Sequence, residues 1–219
     1  MRLQRFSERV SKKLENFSRA RSKLKYCEKT MYVIKEMLRE LLSSEPDDNP
    51  MAAVLVPIIN CGDTKILMIK RGKNLTRSAG HIAFPGGMIE RGEDAVETAL
   101  REFEEELGVN RSKIDVIGFL KTREVLDYRI KICPVVGVTD ENNFSPDSTE
   151  VSRILIDRLE GVLSSRRVAD WGANFECMGE LVWGASSRVL DDLYLRIVRK
   201  YGSIKRFFSI LRENYARRY

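Results

Sequence analysis

Gly87-Met-Ile-Glu-Arg-Gly-Glu93, followed by Asp94-Ala-Val-Glu-Thr-Ala-Leu100 and Arg101-Glu-Phe-Glu-Glu-Glu-Leu-Gly-Val109, is the stretch on which the reading of this 219-residue chain turns. Its second and third segments carry apolar residues at helical spacing, and a helix advances about 100° per residue. With Glu102 at zero, Val96, Ala99, Leu100, Phe103 and Leu107 cluster at roughly 60–160°, Glu105 lies near 300° and Glu106 near 40°. The spacing therefore predicts a helix over Glu93–Leu107 with one core face and an adjoining carboxylate triplet, Glu102, Glu105 and Glu106. Glu104, at about 200°, falls on the solvent side. Acidic Glu93 and Asp94 suit the helix N-terminus, and Gly108 suits its C-terminal cap.

Three carboxylates at i, i+3 and i+4 repel one another unless cations or raised pKa values relieve them. Hard divalent cations are the natural relief, and carboxylate oxygens are the usual surroundings of Mg²⁺, with Mn²⁺ fitting similarly. The chain has a single histidine, His81, which excludes His-Glu-x-x-His and poly-His metal centres. A metal here is to be held by oxygen.

These residues match Gly-x5-Glu-x7-Arg-Glu-U-x-Glu-Glu-x-Gly-U, with U apolar, at every position; a chance match in a chain this long is on the order of 10⁻⁷. The chain thus resembles the Nudix hydrolases. The resemblance implies an α/β/α sandwich and cleavage of a nucleoside diphosphate linked to another group. It also implies that Glu102, Glu105, Glu106 and a backbone carbonyl at Gly86-Gly87 hold Mg²⁺ (or Mn²⁺), and that Arg101, paired with Glu93, orients the glutamates. An activated water would attack one phosphorus, with Glu105 assigned as its base. The resemblance also allows Glu150 as a base or fourth metal ligand from a loop outside the helix, with a solvent-exposed carboxylate as the equal alternative.

Just upstream, Leu67-Met-Ile-Lys-Arg71 and Gly80-His-Ile-Ala-Phe-Pro-Gly-Gly87 resemble the signature of the coenzyme A pyrophosphatases, as do Pro134-Val-Val-Gly137, Thr149-Glu-Val151 and Val182-Trp-Gly184. The similarity spans about residues 51–195. Thr76, with Arg77 one place later, Gly72, His81 and Ser186-Ser187 depart from that pattern. The implied substrate is coenzyme A or a derivative, giving 3′-phosphoadenosine 5′-phosphate and 4′-phosphopantetheine, with Lys70, Arg71 and Arg77 binding its phosphates. ADP-ribose or another nucleoside diphosphate derivative is the competing substrate class.

Outward from this centre, β-rich runs at Ala52–Ile59, Lys65–Ile69, Ile114–Lys121, Ile130–Val138 and Val151–Ile156 predict strands, and Asp170-Trp-Gly-Ala173 a hairpin. Helical periodicity runs from Leu181 to about Tyr201 and again to the end. Leu3, Phe6, Val10, Leu14 and Phe17 outline a first helix, and Leu24, Cys27, Met31, Ile34, Leu38 and Leu41 a second, separated from the rest by Ser43–Pro50. The class is α+β: an N-terminal helical extension (1–48), a catalytic domain (49–200) with a mixed sheet, and a basic C-terminal helix (201–219). Trp171 and Trp183 are expected in core or hairpin packing, and His81 in a hydrogen-bonded or core position.

Lys+Arg 38 against Asp+Glu 32 leaves a net charge of +6, and the excess sits at the two ends. That raises nucleic acid as a partner, in an RNA-binding or cap-processing role, although the complete set of glutamates argues for an enzyme. The short seam of the second helix allows a homodimer through the terminal helices, although at under three heptads packing on its own domain is favoured. Met51–Ile59, the longest apolar run, is about half of a spanning helix, so no membrane role is expected. The N-terminus lacks the features of a signal peptide and the four cysteines form no Cys-x-x-Cys pair, so a cytoplasmic setting with reduced thiols is expected.

Overall fold

A computed structural model describes residues 26–60, 63–73, 78–125 and 129–216. The helix expected around Leu3–Phe17 lies outside these residues, as do Cys61, Thr76, Arg77 and Tyr128.

The nine-residue apolar strand β1 (Ala52–Asn60) is buried on both faces, which is what a continuous apolar run without alternation requires of a central strand. It pairs antiparallel with β2 (Thr64–Arg71) and parallel with β7 (Ile130–Thr139), so the sheet is mixed. Beyond β2 lie β3 (Ile82–Ala83) and β8 (Val151–Arg158), and β7 also holds β5 (Asp115–Phe119) and β6 (Arg123–Val125). The short β4 (Gly86–Met88) returns antiparallel onto the start of β1, with Val54 opposite Gly86 and Ala53 opposite Gly87.

Alternation along β1 and β7 builds two cores. Odd-numbered Ala53, Leu55, Cys133 and Val135 meet Ala99, Phe103 and Leu107 of α2 (Ala95–Leu107). Even-numbered Val56, Ile58, Val136 and Val138 face a second core. This core includes Ile34, Leu38 and Leu41 from α1 (26–39) and the turn after it, with α3 (Leu159–Ser164), α4 (Gly184–Tyr201) and α5 (Ile204–Ala216). The result is a mixed sheet with helices on both faces.

The apolar seam of the second helix is turned inward onto this core, and Ser43 pairs with Phe119 at the sheet edge. Tyr215 of α5 is buried against Asn60 and Thr64. Cys133 and Cys177 are buried free thiols, and Cys27 is buried with its sulfur donating to the Asn60 carbonyl at 3.7 Å. Among the described residues no helix is long and apolar enough to cross a membrane.

Strand ends shift by one to two residues from the sequence reading, and two helix starts near the site shift for identifiable reasons. The catalytic-domain helix starts at Ala95, not Glu93, because Asp94 takes the N-cap: its carboxylate accepts from the backbone N–H of Val96 and Glu97, and Glu97 returns a bond from the Asp94 N–H. Leu181 belongs to a small separate sheet of β9 (Arg167–Ala169), β10 (Gly172–Cys177) and β11 (Glu180–Val182), and the following helix begins only at Gly184. Asp94→Ala should lower the unfolding free energy by about 1 kcal/mol, read from the urea midpoint at unchanged slope.

Candidate active site

Arg101 organises the carboxylates of α2. Its Nε and Nη2 donate to the two oxygens of Glu93 at 2.7 and 3.2 Å, a two-pronged pair, and Nη1 donates to Glu102 at 2.8 Å and Glu105 at 3.0 Å. Nη2 also donates to the carbonyl of Met88 at 3.3 Å, tying the helix to β4. Glu93 accepts further from the Thr98 hydroxyl at 2.7 Å and the Glu90 N–H at 3.2 Å. Chiefly through Arg101, and then Thr98, its pKa drops to about 2. The guanidinium is held firmly cationic by the same contacts. Because Lys is a point donor without the planar fork, Arg101→Lys should keep the charge and lose the geometry. A 10- to 100-fold loss of catalytic efficiency, roughly the effect of removing an orienting partner, is expected in steady-state kinetics.

Glu102 turns toward Gly87, whose missing side chain makes the approach possible: a Cβ there would lie 2.2 Å from Glu102 Oε1. Gly86 is equally constrained, since a Cβ would meet the Ala53 carbonyl at 2.3 Å. Its N–H donates to Glu106 Oε2 at 3.2 Å. Glu106 is 2% exposed, with Arg71 Nη1 of β2 at 3.9 Å from Oε1. Burial pushes its pKa up to about 8 against the pull of Arg71, and the charges of Glu102 and Glu150 push the same way. Burial likewise raises Glu102, with Glu105 and Glu150 adding to it and Arg101 opposing.

Glu150 reaches this group through a loop that docks on the end of α2. The N–H of Ser145 donates to the Leu107 carbonyl at 2.8 Å and that of Asp147 to the Glu106 carbonyl at 3.0 Å, satisfying carbonyls the helix leaves open. Asp147 then accepts from the N–H and hydroxyl of Thr149, and the Glu150 carbonyl accepts from the Gly72 N–H at 2.7 Å. Sequence spacing alone gives no sign of this docking; only the α2 glutamates have a periodicity that announces them.

Glu105 is the exposed member, 60% accessible and resting on Arg101. Glu104 lies away from the group, paired with Arg111 at 2.8 Å and only partly exposed. Of the three expected phosphate contacts, Arg71 stands at the site, Lys70 is engaged by Glu180 of β11 at 2.9 Å, and Arg77 lies outside the described residues. Among the described residues no three carboxylate, imidazole or thiol groups converge on one point as drawn for a metal ion. The donor set is nevertheless all oxygen, and Glu102, Glu105 and Glu150 each raise the cost of ionising a neighbour. That strain is what a hard divalent cation relieves.

Beside the carboxylates opens a cavity of about 780 Å³, bordered by Arg71 and Gly86-Gly87 at one end and by the β9–β11 sheet and the start of α4 at the other. His81 packs on Trp183 with ring centroids 4.6 Å apart. The two tryptophans are not core residues: Trp171 is 60% and Trp183 45% exposed, both on the cavity rim. Trp171 sits in the hairpin turn expected at Asp170–Ala173, between β9 and β10, whereas Trp183 is the N-cap of α4 and belongs neither to the core nor to a hairpin.

Comparison with known proteins agrees with this arrangement. The NUDIX domain family model matches residues 49–171. Nudix hydrolase 3 of Caenorhabditis elegans is 37% identical over 128 residues, 54% of this chain, which spans about half (52%) of the worm protein. The uncharacterised Nudix hydrolase NudL of Shigella flexneri is 31% identical over 179 residues, covering 74% of this chain and 90% of its own. The crystal structure of a MutT/nudix family protein from Enterococcus faecalis superposes with a TM-score of 0.48 at 15% identity, covering 77% of this chain and 70% of that one. With the domain model matched over more than half of the chain and Glu93, Glu102 and Glu105 joined through Arg101 along α2 beside Glu106, the chain belongs to the Nudix hydrolase family.

Proposed function

We propose that this chain is a Mg²⁺- or Mn²⁺-dependent pyrophosphatase acting on coenzyme A or its derivatives and releasing 3′-phosphoadenosine 5′-phosphate and 4′-phosphopantetheine. The observation that carries the reading is the buried Glu106 beside Glu102, Glu150 and Arg71 at the Gly86-Gly87 turn. Glu102, Glu105, Glu106 and the Gly86 carbonyl are the groups that would hold the cation. Bound there, it would lower the pKa of the attacking water and offset phosphoryl charge. Arg101 and Glu93 fix the helix side of the site, and Arg71, the cation nearest Glu106, meets the diphosphate. Glu105, exposed and free to leave Arg101, takes the proton of the water; Glu105→Gln compared with Glu150→Gln separates these two carboxylates as the base by which variant loses the acidic limb of the pH–rate profile.

The coenzyme A assignment is supported by the upstream segments Leu67–Arg71 and Gly80–Gly87, of which Arg71, Gly86 and Gly87 lie at both the carboxylates and the cavity and His81, Ile82, Ala83 and Phe84 line the cavity. The test is a panel of coenzyme A, acyl-coenzyme A, ADP-ribose, NADH, dinucleoside polyphosphates and capped RNA with Mg²⁺ or Mn²⁺, products identified by mass spectrometry. Highest kcat/KM with release of 4′-phosphopantetheine is the expected result. Preference for ADP-ribose or capped RNA would move the substrate, and inactivity on every compound with either metal would defeat the enzymatic reading.

A further inference from the structure

Resting on the reading that the carboxylate site cleaves a diphosphate, we infer that the adjoining cavity selects substrates whose non-nucleoside arm carries an extended aliphatic chain. The cavity is continuous with the site, since Arg71, Gly86 and Gly87 border both. Its floor is the even-numbered face of β1 and β7, where Ala52, Val54 and Ile132 align in parallel register. Ile82 and Phe84 close one side and Val189 of α4 another. Small residues stand where larger ones would fill the hollow: Ala52 on β1 and Ala173 on β10.

The chemistry of the wall distinguishes a chain from a base. A purine or pyrimidine is fixed by hydrogen bonds to its edge as well as by stacking. Among the described residues no Asp, Glu, Asn or Gln lines the cavity; the Ser187 hydroxyl is taken by the Gly184 carbonyl and Arg188 Nη2 by the Glu124 carbonyl, which leaves Arg188 Nε as the buried side-chain donor of this wall without a partner. The His81 and Trp183 rings already pack on each other, leaving no slot between them. At about 780 Å³ the space exceeds what a base needs, and its rim of Trp171, Leu181 and Trp183 extends the apolar surface outward to solvent. The nucleoside therefore lies on the outer side of the diphosphate and the aliphatic arm enters the cavity.

The test uses the methyl, butyl and octyl β-esters of ADP, which share one head and differ only in chain. One water is consumed, the P–O–P bond is cleaved, and AMP and the alkyl phosphate form, with the protons of the water passing to buffer. Each methylene buried should lower KM by about two- to fourfold. Binding is read independently of metal and turnover, in EDTA, because the chain has two tryptophans and both line the cavity. Their emission should shift with octyl ester and not with AMP, and Kd should fall with chain length as KM does. Leu181→Asp, at an exposed rim position, should cut the octyl-to-methyl preference at least tenfold, with Trp183→Ala as the second variant should the first not fold. Cleavage of all esters with flat KM and flat Kd, or an unchanged preference in both variants, overturns the inference while leaving the pyrophosphatase intact. Absence of cleavage with a chain-length-dependent Kd overturns the pyrophosphatase reading and leaves the cavity's selectivity standing.

Discussion

Glu106→Gln is expected to lower kcat/KM for diphosphate cleavage by about a thousandfold, roughly 4 kcal/mol of transition-state stabilisation. The substitution keeps the shape of the side chain and an oxygen that can accept from the Gly86 N–H, so the fold around it has no reason to change. What it removes is the one buried carboxyl of the group, 2% exposed and 3.9 Å from Arg71, which a bound cation would hold in its ionised form. Initial rates at saturating Mg²⁺, with far-UV circular dichroism as a check on folding, measure the loss. Glu104→Gln is the matched comparison: this glutamate sits on the same helix, pairs with Arg111 outside the site, and should change the rate less than about twofold. Equal effects of the two substitutions would mean that general charge on α2, not a placed carboxylate, is what matters.

The contrast between Glu104 and Glu106 also marks how far the sequence can be read. Helical geometry separated the two from spacing alone, since a 3.6-residue period places Glu106 on the flank of the core face that it shares with Glu102, and Glu104 on the other flank, away from the triplet. The central strands were equally legible, because β1, β2, β7 and β8 are long apolar or β-branched runs ended by Gly, Asn and Pro. The direct contact of Arg101 with Glu93 spans eight residues and stays within one local motif, so it too was within reach of local reasoning.

Groups whose placement depends on distant packing were not. Lys70 reads as a phosphate contact until β11 folds back and brings Glu180, 110 positions away, to its ammonium. Glu150 lies on an exposed loop, and only docking of Ser145 and Asp147 onto the open carbonyls of α2 carries it beside Glu102 and Glu106. The small β9–β11 sheet has strands of three to six residues, too short for a period to show. Leu181 and Val182 therefore read as the opening of the helix that follows, while the turn residues Asp170–Ala173 did announce the one hairpin that carries Trp171. The cavity is a product of this same sheet, which is why no local pattern pointed to it.

In EDTA, raising the pH from about 4.5 to 8 should destabilise the wild-type protein, and Glu106→Gln should remove most of that loss. The ordinary pKa of a glutamate is 4.5, and burial lifts Glu106 to about 8 in the fold. Between those values the unfolded chain has released the proton while the native state keeps it, so the unfolded state binds fewer protons and stability falls as pH rises. The difference, 8 − 4.5, sets an upper bound on the order of 5 kcal/mol. Glu102, also raised by burial, adds in the same direction. Glu93 acts oppositely but elsewhere: its low pKa gives stability that is complete above 4.5 and lost as the pH falls toward 2, outside this window. Urea midpoints at pH 5, 6.5 and 8 should therefore decline for the wild type and stay nearly level for Glu106→Gln. Adding Mg²⁺ at pH 8 should restore the wild type and leave the variant little changed, because a cation held by the carboxylates stabilises the ionised form. A wild-type midpoint that rises from pH 5 to 8 without metal, or an equal response of both proteins to Mg²⁺, would separate the buried carboxylate from the cation and contradict the site built on Glu106.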